Sequence, residues 1–317
     1  MADMPEDAKV EQYLRYLGAE RKLSAHTVAG YGRDLRGLVA FSRAEPHPVA
    51  LEKLDTQHIR RYAAVLHGRG LSGRAIARAL SAWRTFYAWL ALHGEVAANP
   101  VDDVRAPKSA RRLPKALSPE LAVQLVSAPS EDGPAGARDR AIFELFYSSG
   151  LRLSELVALD VRYEAQGGYR SAGWIDFEAG EVSVTGKGGK KRTVPVGAPA
   201  LSALQVWVAL RPVWLRADAR PLFLSARGSR LSGRTIQQRL KLHALRLGIP
   251  AHVHPHVLRH SFASHLLQSS GDLRAVQELL GHESIAATQV YTSLDFQRLA
   301  TVYDASHPRA RKVTPTR

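Results

Sequence analysis

Four short stretches in the second half of the chain carry side chains suited to binding and attacking a phosphate ester. They are Gly150-Leu151-Arg152, Gly186-Lys187-Gly188, His256-Val257-Leu258-Arg259 and Gly281-His282, and Tyr291 follows the last of them. Arginine offers a planar pair of donors to two phosphate oxygens, whereas lysine supplies a compact, transferable proton. Tyrosine, with an ordinary pKa of about 10, becomes a nucleophile once a base accepts its proton. These residues predict chemistry at a phosphodiester, with Tyr291 as the nucleophile and His256 as the best base available.

The stretch around His256 is predicted to begin a helix. Pro255 is typical of the first helical turn, so that His256 and Arg259, three residues apart, share a face beside the positive end of the helix. Such a position binds phosphate readily. Gly150 is predicted to end a helix, and Arg152, two residues later, can extend its side chain from that end. Glu155, three residues later, is interpreted as the group that orients its guanidinium.

The composition indicates a polyanionic partner. The chain of 317 residues has a formal net charge of +15 and a pI near 10.3, which favours nucleic acid first and an anionic membrane second. Residues 1–107 carry 15 Lys and Arg against 12 Asp and Glu, a net +3, and the rest carries +12. With no cysteine, disulfides and thiolate metal sites are excluded. The acidic start is unlike a signal peptide and no run of about 20 apolar residues occurs, so we expect a soluble cytoplasmic protein.

Four helices are predicted in the first hundred residues, because apolar residues recur there at helical spacing. The four segments begin near Val10, Val28, Ile59 and Ile76. Thr56 and Ser72 are candidate N-caps of the third and fourth helices. A proline-containing, basic stretch after Asn99 has no such period and is predicted to be a linker. The predicted division is a helical domain at 1–107, a linker at 108–116 and a second domain at 117–317.

The second domain is predicted to be mainly helical with a small antiparallel sheet. Three runs alternate apolar and polar residues and contain Ile175 and Phe177, Val182 and Val184, and Val194 and Val196. They predict a three-stranded meander with Lys187 at a hairpin tip. Lys190, Lys191 and Arg192, just after this tip, fit a strand edge that lies on DNA.

The order of these residues resembles the motif of the tyrosine recombinase (phage integrase) family, which reads Arg, Lys, His-x-x-Arg, Gly-His, Tyr. All six positions are filled, by Arg152, Lys187, His256, Arg259, His282 and Tyr291. Leu23-Ser24, Tyr31 and Asp34-Leu35 resemble the N-terminal core-binding domain of the family. Within the family, the tail from Leu294 to Ala310 is most similar to the XerC-type resolvases of chromosome dimers.

The resemblance implies an architecture and a set of roles. A SAM-like core-binding domain and an α+β catalytic domain would form a C-shaped clamp on DNA. Arg152 and Arg259 would clamp the scissile phosphate, Lys187 would protonate the 5′ oxygen, and His282 would stabilise the transition state. Tyr291 would form a 3′-phosphotyrosine link that retains the energy of the bond, so neither a metal nor a nucleotide cofactor is expected.

The resemblance also implies partners. They would be a short double-stranded DNA site near the replication terminus, a XerD-like recombinase in a heterotetramer, and a septal DNA translocase, with no membrane. In the family the C-terminal helix docks on a neighbouring subunit, which makes residues 294–303 candidates for that exchange. An integrase of a mobile element has the same chemistry but normally carries an additional arm-binding domain. A DNA-binding protein without catalysis is the alternative from another class.

Two further features of the sequence are a group of four histidines and a long segment before the first strand of the meander. His252, His254, His256 and His260 suggest zinc, but no cysteine or glutamate falls at ligand spacing and Arg259 would set a positive charge beside the metal. The segment 161–173 is longer than the usual link of the family to the first strand. Its polar, glycine-containing composition predicts an inserted loop that faces solvent.

Overall fold

The computed structural model describes residues 5–44, 48–107, 116–129, 131–186, 189–249, 252–281 and 293–310. The chain divides into two compact units, Met1–Arg112 and Leu113–Arg317. The described residues are mainly helical with a small sheet, which confirms the predicted fold class.

Within its described residues the first unit contains four helices, as the spacing predicts. They are α1 (Glu6–Ala19), α2 (Ala25–Arg43), α3 (Thr56–Gly68) and α4 (Gly73–Leu92), with a short 3-10 turn at Leu51–Lys53. Trp83, Phe86 and Tyr87 of α4 lie at the centre of its apolar core. Each helix therefore contributes one apolar face to a shared interior.

One of the two predicted N-caps is wrong. Ser72 caps α4, since its hydroxyl accepts from the backbone N–H of Ala75. At α3 the cap is Asp55 instead of Thr56. The Asp55 carboxylate accepts from the His58 N–H at 2.9 Å, and Thr56 is the first residue of the helix. Both residue types can cap, and a carboxylate one position earlier reaches the third N–H of the helix.

The second unit is built around a buried helix. Its helices are α5 (Pro119–Ser127), α6 (Pro134–Ser149), α7 (Leu153–Val157), α8 (Ala198–Leu210), α9 (Gly233–Arg246), α10 (Pro255–Ser270), α11 (Leu273–Leu280) and α12 (Ser293–Ser306), with a 3-10 turn at Arg211–Trp214. Most of α6 is buried, and α8 and α10 pack against it. As predicted, Gly150 ends α6 and Pro255 begins α10.

The sheet contains the predicted meander and one more strand. Strands β4 (Gly173–Asp176), β5 (Glu181–Thr185) and β6 (Lys191–Pro195) pair antiparallel, with Val182 opposite Val194. Strand β1 (Leu159–Asp160) adds a parallel edge, which gives the order β1-β4-β5-β6. Two residues are too few to show alternation, so the sequence did not predict β1.

The segment 161–173, predicted as a loop, forms a small hairpin instead. Its strands are β2 (Ala165–Gln166) and β3 (Tyr169–Arg170). The Tyr169 hydroxyl donates to Asp160 at 2.7 Å, and Arg230 donates to the same buried carboxylate at 2.6 Å. Arg220 lies over the Tyr169 ring at 4.1 Å. The hairpin is therefore anchored to the sheet edge through one tyrosine.

The end of α12 packs on its own unit. Tyr303 is buried, and its hydroxyl lies 2.8 Å from that of Ser148. The His307 ring stacks on Tyr303, and Arg309 pairs with the fully buried Glu144. Residues 294–303 are the predicted candidates for exchange between subunits, and of these Tyr303 packs on its own domain, while the exchange itself stays a prediction.

Candidate active site

Three arginines converge on the carboxyl end of α11. Arg192 donates through Nε to the Leu279 carbonyl at 3.0 Å, Arg259 donates to Leu280 at 2.6 Å, and Arg152 donates to Gly281 at 2.9 Å. The last carbonyls of a helix have no partner within the helix and carry a partial negative charge. They are therefore good acceptors for guanidinium groups, which fix this end of the helix directly before His282.

Glycine is required at the point where α11 ends. Gly281 has φ 65°, in the left-handed region that favours glycine. A Cβ there would lie 3.2 to 3.4 Å from three atoms of the Arg192 side chain. The glycine of the Gly-His motif thus lets the chain turn and makes room for an arginine.

A buried glutamate joins two of the arginines. Glu155 accepts from the Arg152 guanidinium at 2.8 Å and from the Arg152 backbone N–H at 2.7 Å. It also accepts two bonds from Arg192, at 2.7 and 2.8 Å. Burial opposes ionisation, but the bonds and charge of Arg192, with those of Arg152, lower the pKa of Glu155 to about 2. Glu155 is therefore ionised at neutral pH, and its interpretation as the residue that orients Arg152 agrees with this geometry.

Arg259 connects two of the predicted motifs. Besides Leu280, it donates to the Gly150 carbonyl at 2.6 Å. Gly150 has φ 55°, and a Cβ there would lie only 2.4 Å from the Phe262 ring, so glycine is needed both for its backbone angle and for the close packing. Burial lowers the pKa of Arg259 to about 10, and repulsion from Arg152 and Arg192 adds to the effect. Arg259 still carries its charge at neutral pH.

The positive charge of this cluster exceeds the negative charge. The cluster holds three guanidiniums and one carboxylate, Glu155, which binds Arg152 and Arg192. The Arg152 side chain retains 36% of its exposure, while that of Arg192 retains 7%. An anion can therefore approach Arg152 from solvent. Guanidinium N–H groups that are not used in bonds to the protein are suited to the two non-bridging oxygens of a phosphate.

His256 follows Pro255 in the first turn of α10 and is exposed. Its ring is stacked nearly parallel to that of His254, with 6.3 Å between centroids. Burial, with repulsion from His252 and His256, lowers the pKa of His254. The exposed edge of α10 thus carries His256, while Arg259, one turn later, points into the protein. His256 and Arg259 therefore lie three residues apart on α10, one exposed and one buried, and their joint phosphate site stays a prediction.

The other three predicted residues, Lys187, His282 and Tyr291, lie outside the described residues. The chain next to two of them is described. A Cβ on Gly186 would lie 3.7 Å from Nη1 of Arg152, and the Gly281 carbonyl accepts from the same guanidinium. The structure therefore brings Arg152 and Arg259 together and places the residues before Lys187 and His282 beside Arg152.

Comparison with known families identifies the chain. The model of the phage integrase family matches residues 115–298, and that of its N-terminal SAM-like domain matches residues 10–94. This chain belongs to the phage integrase family. It is accordingly a site-specific DNA recombinase of the tyrosine class, and the predicted family is confirmed.

Relatives that are highly identical over nearly their full length are named tyrosine recombinase XerC. Tyrosine recombinase XerC 1 of Ralstonia nicotianae is 60% identical over 317 residues, covering 98% of this chain and 96% of the relative. Tyrosine recombinase XerC of Xanthomonas campestris is 49% identical over 307 residues, covering 97% and 90%. A lambda integrase dimer bound to a COC′ core site shares the fold, with a TM-score of 0.66, 19% identity, and coverage of 91% of this chain and 100% of that one.

The prediction for Arg192 is wrong. The sequence predicts that Arg192, with Lys190 and Lys191, forms a strand edge that lies on DNA. Both lysines are exposed, but the Arg192 side chain is buried against Glu155 and α11. Three consecutive basic residues on a strand end give no local signal that the third turns inward. The glutamate three residues after Arg152 was the only hint of a buried partner.

The zinc interpretation gains no support in the described part of the chain, which includes all four histidines of the 252–260 stretch. No three metal-binding side chains cluster within it. His243 and His265 are buried and bond to the Leu125 and Leu117 carbonyls. Among the same described residues, no helix has the length and apolar character needed to cross a membrane.

Proposed function

We propose that this recombinase resolves chromosome dimers, as its relationship to XerC enzymes suggests, by cutting and rejoining DNA strands through Tyr291. The observation that carries the proposal is the convergence of Arg152 and Arg259 on the end of α11, directly before His282. This convergence supports a phosphate-binding site at the point in the chain from which the segment with Tyr291 continues.

In the proposed reaction the Tyr291 oxygen attacks the scissile phosphorus, and the 5′ oxygen of the next nucleotide leaves. His256 accepts the phenol proton and Lys187 gives a proton to the leaving oxygen. A guanidinium carries five N–H donors, so the bonds of Arg152 and Arg259 to the protein leave donors for the non-bridging oxygens. His282 stabilises the charge that develops in the transition state.

The product of this step is a 3′-phosphotyrosine and a free 5′ hydroxyl. Attack by the 5′ hydroxyl of another strand reverses the chemistry and releases Tyr291. One phosphodiester is exchanged for another of similar energy, so the reaction requires no nucleotide hydrolysis. Charge relief comes from guanidiniums, so it requires no metal ion either.

The remaining assignments belong to the same proposal. Residues 1–107 form the core-binding domain, 108–116 the linker and 117–317 the catalytic domain. The enzyme acts in the cytoplasm on a short site near the replication terminus. There it works in a heterotetramer with a XerD-like recombinase, under the control of a septal DNA translocase. The identity of the XerC relatives along nearly the whole chain supports this assignment.

A suicide substrate tests the chemistry. In a duplex site with a nick beside the cleavage position, cleavage releases a short fragment that carries the free 5′ hydroxyl. This fragment diffuses away, and the enzyme stays linked to the 3′ phosphate of the remaining strand. We expect a covalent adduct that survives denaturation with the native chain and no adduct with Tyr291→Phe. An adduct formed by Tyr291→Phe would show that another residue is the nucleophile. Footprinting on replication-terminus DNA, with and without a XerD-like partner, distinguishes a dimer resolvase from a mobile-element integrase.

A further inference from the structure

Arg192 lies at the meeting point of three parts of the site. It is on β6, opposite Val184 of β5, only five residues after Lys187. Its two terminal nitrogens bind Glu155, which in turn holds Arg152. Its Nε binds the Leu279 carbonyl at the end of α11. One side chain therefore links the strand after the Lys187 turn, the Arg152 segment and the helix that leads to His282.

We propose that Arg192 is a positioning residue for strand cleavage, which fixes the Arg152 guanidinium and the end of α11 relative to each other. This inference rests on the proposed function, because the group it positions is the phosphate clamp. Arg192 acts through Glu155 and the Leu279 carbonyl, and its burial keeps it away from the phosphate itself.

The geometry requires arginine in particular. The fork of two terminal nitrogens faces the two Glu155 oxygens, while Nε points to a third acceptor in another direction. A planar guanidinium satisfies this arrangement with little loss of conformational freedom. A lysine carries one nitrogen on a flexible stem, so it can preserve the charge but cannot hold both acceptors in a fixed relation.

Burial makes this link strong. The Glu155 and Arg192 side chains retain 3% and 7% of their exposure. Removing one partner of such a pair leaves an uncompensated charge in a poorly solvated site, which costs far more than breaking a surface pair. Without Arg192, the Glu155 carboxylate would have to draw closer to Arg152. The guanidinium would then move away from the position that it holds against Gly281.

The room for Arg192 is provided by the Gly-His motif. The hypothetical Cβ of Gly281 is 3.2 Å from Cδ of Arg192, so the arginine side chain passes directly beside the C-terminal glycine of α11. The C-terminal end of α11 therefore packs directly against Arg192. We expect a substitution of either to shift the position of the next residue, His282.

The test uses full-length Arg192→Met and Arg192→Lys with the nicked suicide site. DNA binding is measured by mobility shift, and adduct formation is followed in a single turnover from the preformed complex. We expect cleavage by Arg192→Met to slow about 100-fold, the size of effect produced by misplacing a reactive group by about 1 Å. We expect a smaller loss for Arg192→Lys and unchanged DNA affinity for both.

Arg246→Met is the matched control. It also removes an arginine from an ion pair, with Glu131, but the Arg246 side chain is 58% exposed and pairs on the protein surface. This variant should cleave at the native rate. If Arg192→Met does not fold, Arg192→Lys decides the matter, because it retains the charge. Cleavage by Arg192→Lys at the native rate would overturn the proposal.

A second substrate identifies what Arg192 positions. Replacing the scissile 5′ oxygen by sulfur gives a leaving group that needs no proton, since the pKa of a thiol is about 8.5. On this substrate the cleavage rate of Lys187→Ala should return toward that of the native enzyme, whereas both Arg192 variants should still cleave slowly. Recovery of the Arg192 variants would show that they act through the Lys187 turn and would refute the assignment. If the native enzyme forms no adduct, the proposed function itself fails.

Discussion

Arg259 donates to the main-chain oxygen of Gly150 at 2.6 Å, across 109 residues of chain. The bond joins the glycine that ends α6 to the helix that carries His256. Because Gly150 also precedes Arg152 by two residues, the two arginines of the phosphate site are held in one rigid arrangement before any DNA binds. Such preorganisation lowers the cost of stabilising charge in the transition state.

Replacing Arg259 by lysine should damage both stability and catalysis. A lysine nitrogen cannot reach the Gly150 and Leu280 carbonyls in the geometry of the guanidinium, so at least one buried acceptor loses its partner. We expect a loss of about 2 kcal/mol in the free energy of unfolding, measured in urea. Cleavage of the nicked site should fall by at least about 100-fold. Unchanged stability would show that water or a neighbouring group replaces the lost bond.

Arg152→Ala should separate binding from cleavage. Its guanidinium faces solvent more than those of Arg192 and Arg259 and is the one best placed to receive a phosphate oxygen. We expect the cleavage barrier to rise by several kcal/mol, read from single-turnover rates, while affinity for the site changes little. If affinity falls as much as the rate, Arg152 contributes to DNA binding and not specifically to the chemical step.

Glu155 should make stability depend on acid pH. Its pKa of about 2 in the folded protein is below its ordinary value of 4.5, so the ionised form favours folding. This contribution, at most about 3 kcal/mol, is complete above pH 4.5 and disappears as the pH falls toward 2. In Glu155→Gln that titration is absent, and the urea midpoint should change less between pH 5 and pH 3 than in the native chain. Parallel curves for the two proteins would contradict the assignment.

Gly197→Ala should loosen the C-terminal segment. A Cβ at this position would lie 2.0 Å from the Arg309 carbonyl oxygen and 2.9 Å from the Tyr303 hydroxyl, although the Gly197 backbone angles suit alanine. The segment must therefore move, and we expect faster proteolysis between residues 299 and 310. Gly37→Ala, in open space within α2, is the control and should be neutral or stabilising. Equal proteolysis rates for Gly197→Ala and the native chain would show that the segment does not pack as described.

Removing metal ions should leave strand cleavage unchanged. Guanidiniums take the place of a metal in relieving the charge of the phosphate. Adduct formation on the nicked site is therefore expected at the same rate with and without excess EDTA. Inhibition that zinc or magnesium reverses would require a metal ligand set, and the histidines near His256 would be the first to examine.

The parts of the fold that were predictable from sequence depend on local signals. Gly150 ends α6 because a left-handed residue is needed there, and Pro255 begins α10 because its missing N–H has no cost at that position. Arg192 was misread because its partners lie 37 and 87 residues away. Neither a hydrophobic period nor a turn signal records such contacts. The β1 strand was not predicted for a related reason, since it is defined by its pairing with β4 and by backbone bonds to residues 220–222, all distant in sequence.

The three arginines bind main-chain oxygens, and every residue type supplies one. Leu279 and Leu280 can therefore change without removing an acceptor, provided that they still fill the core. The number of residues cannot change, because three guanidiniums meet three consecutive carbonyls. Deleting one residue from α11 would offer each arginine the wrong oxygen and rotate His282 by about 100° around the helix axis. The site is thus tolerant of substitution at Leu279 and Leu280, though not at Gly281, and intolerant of any change in the length of this segment.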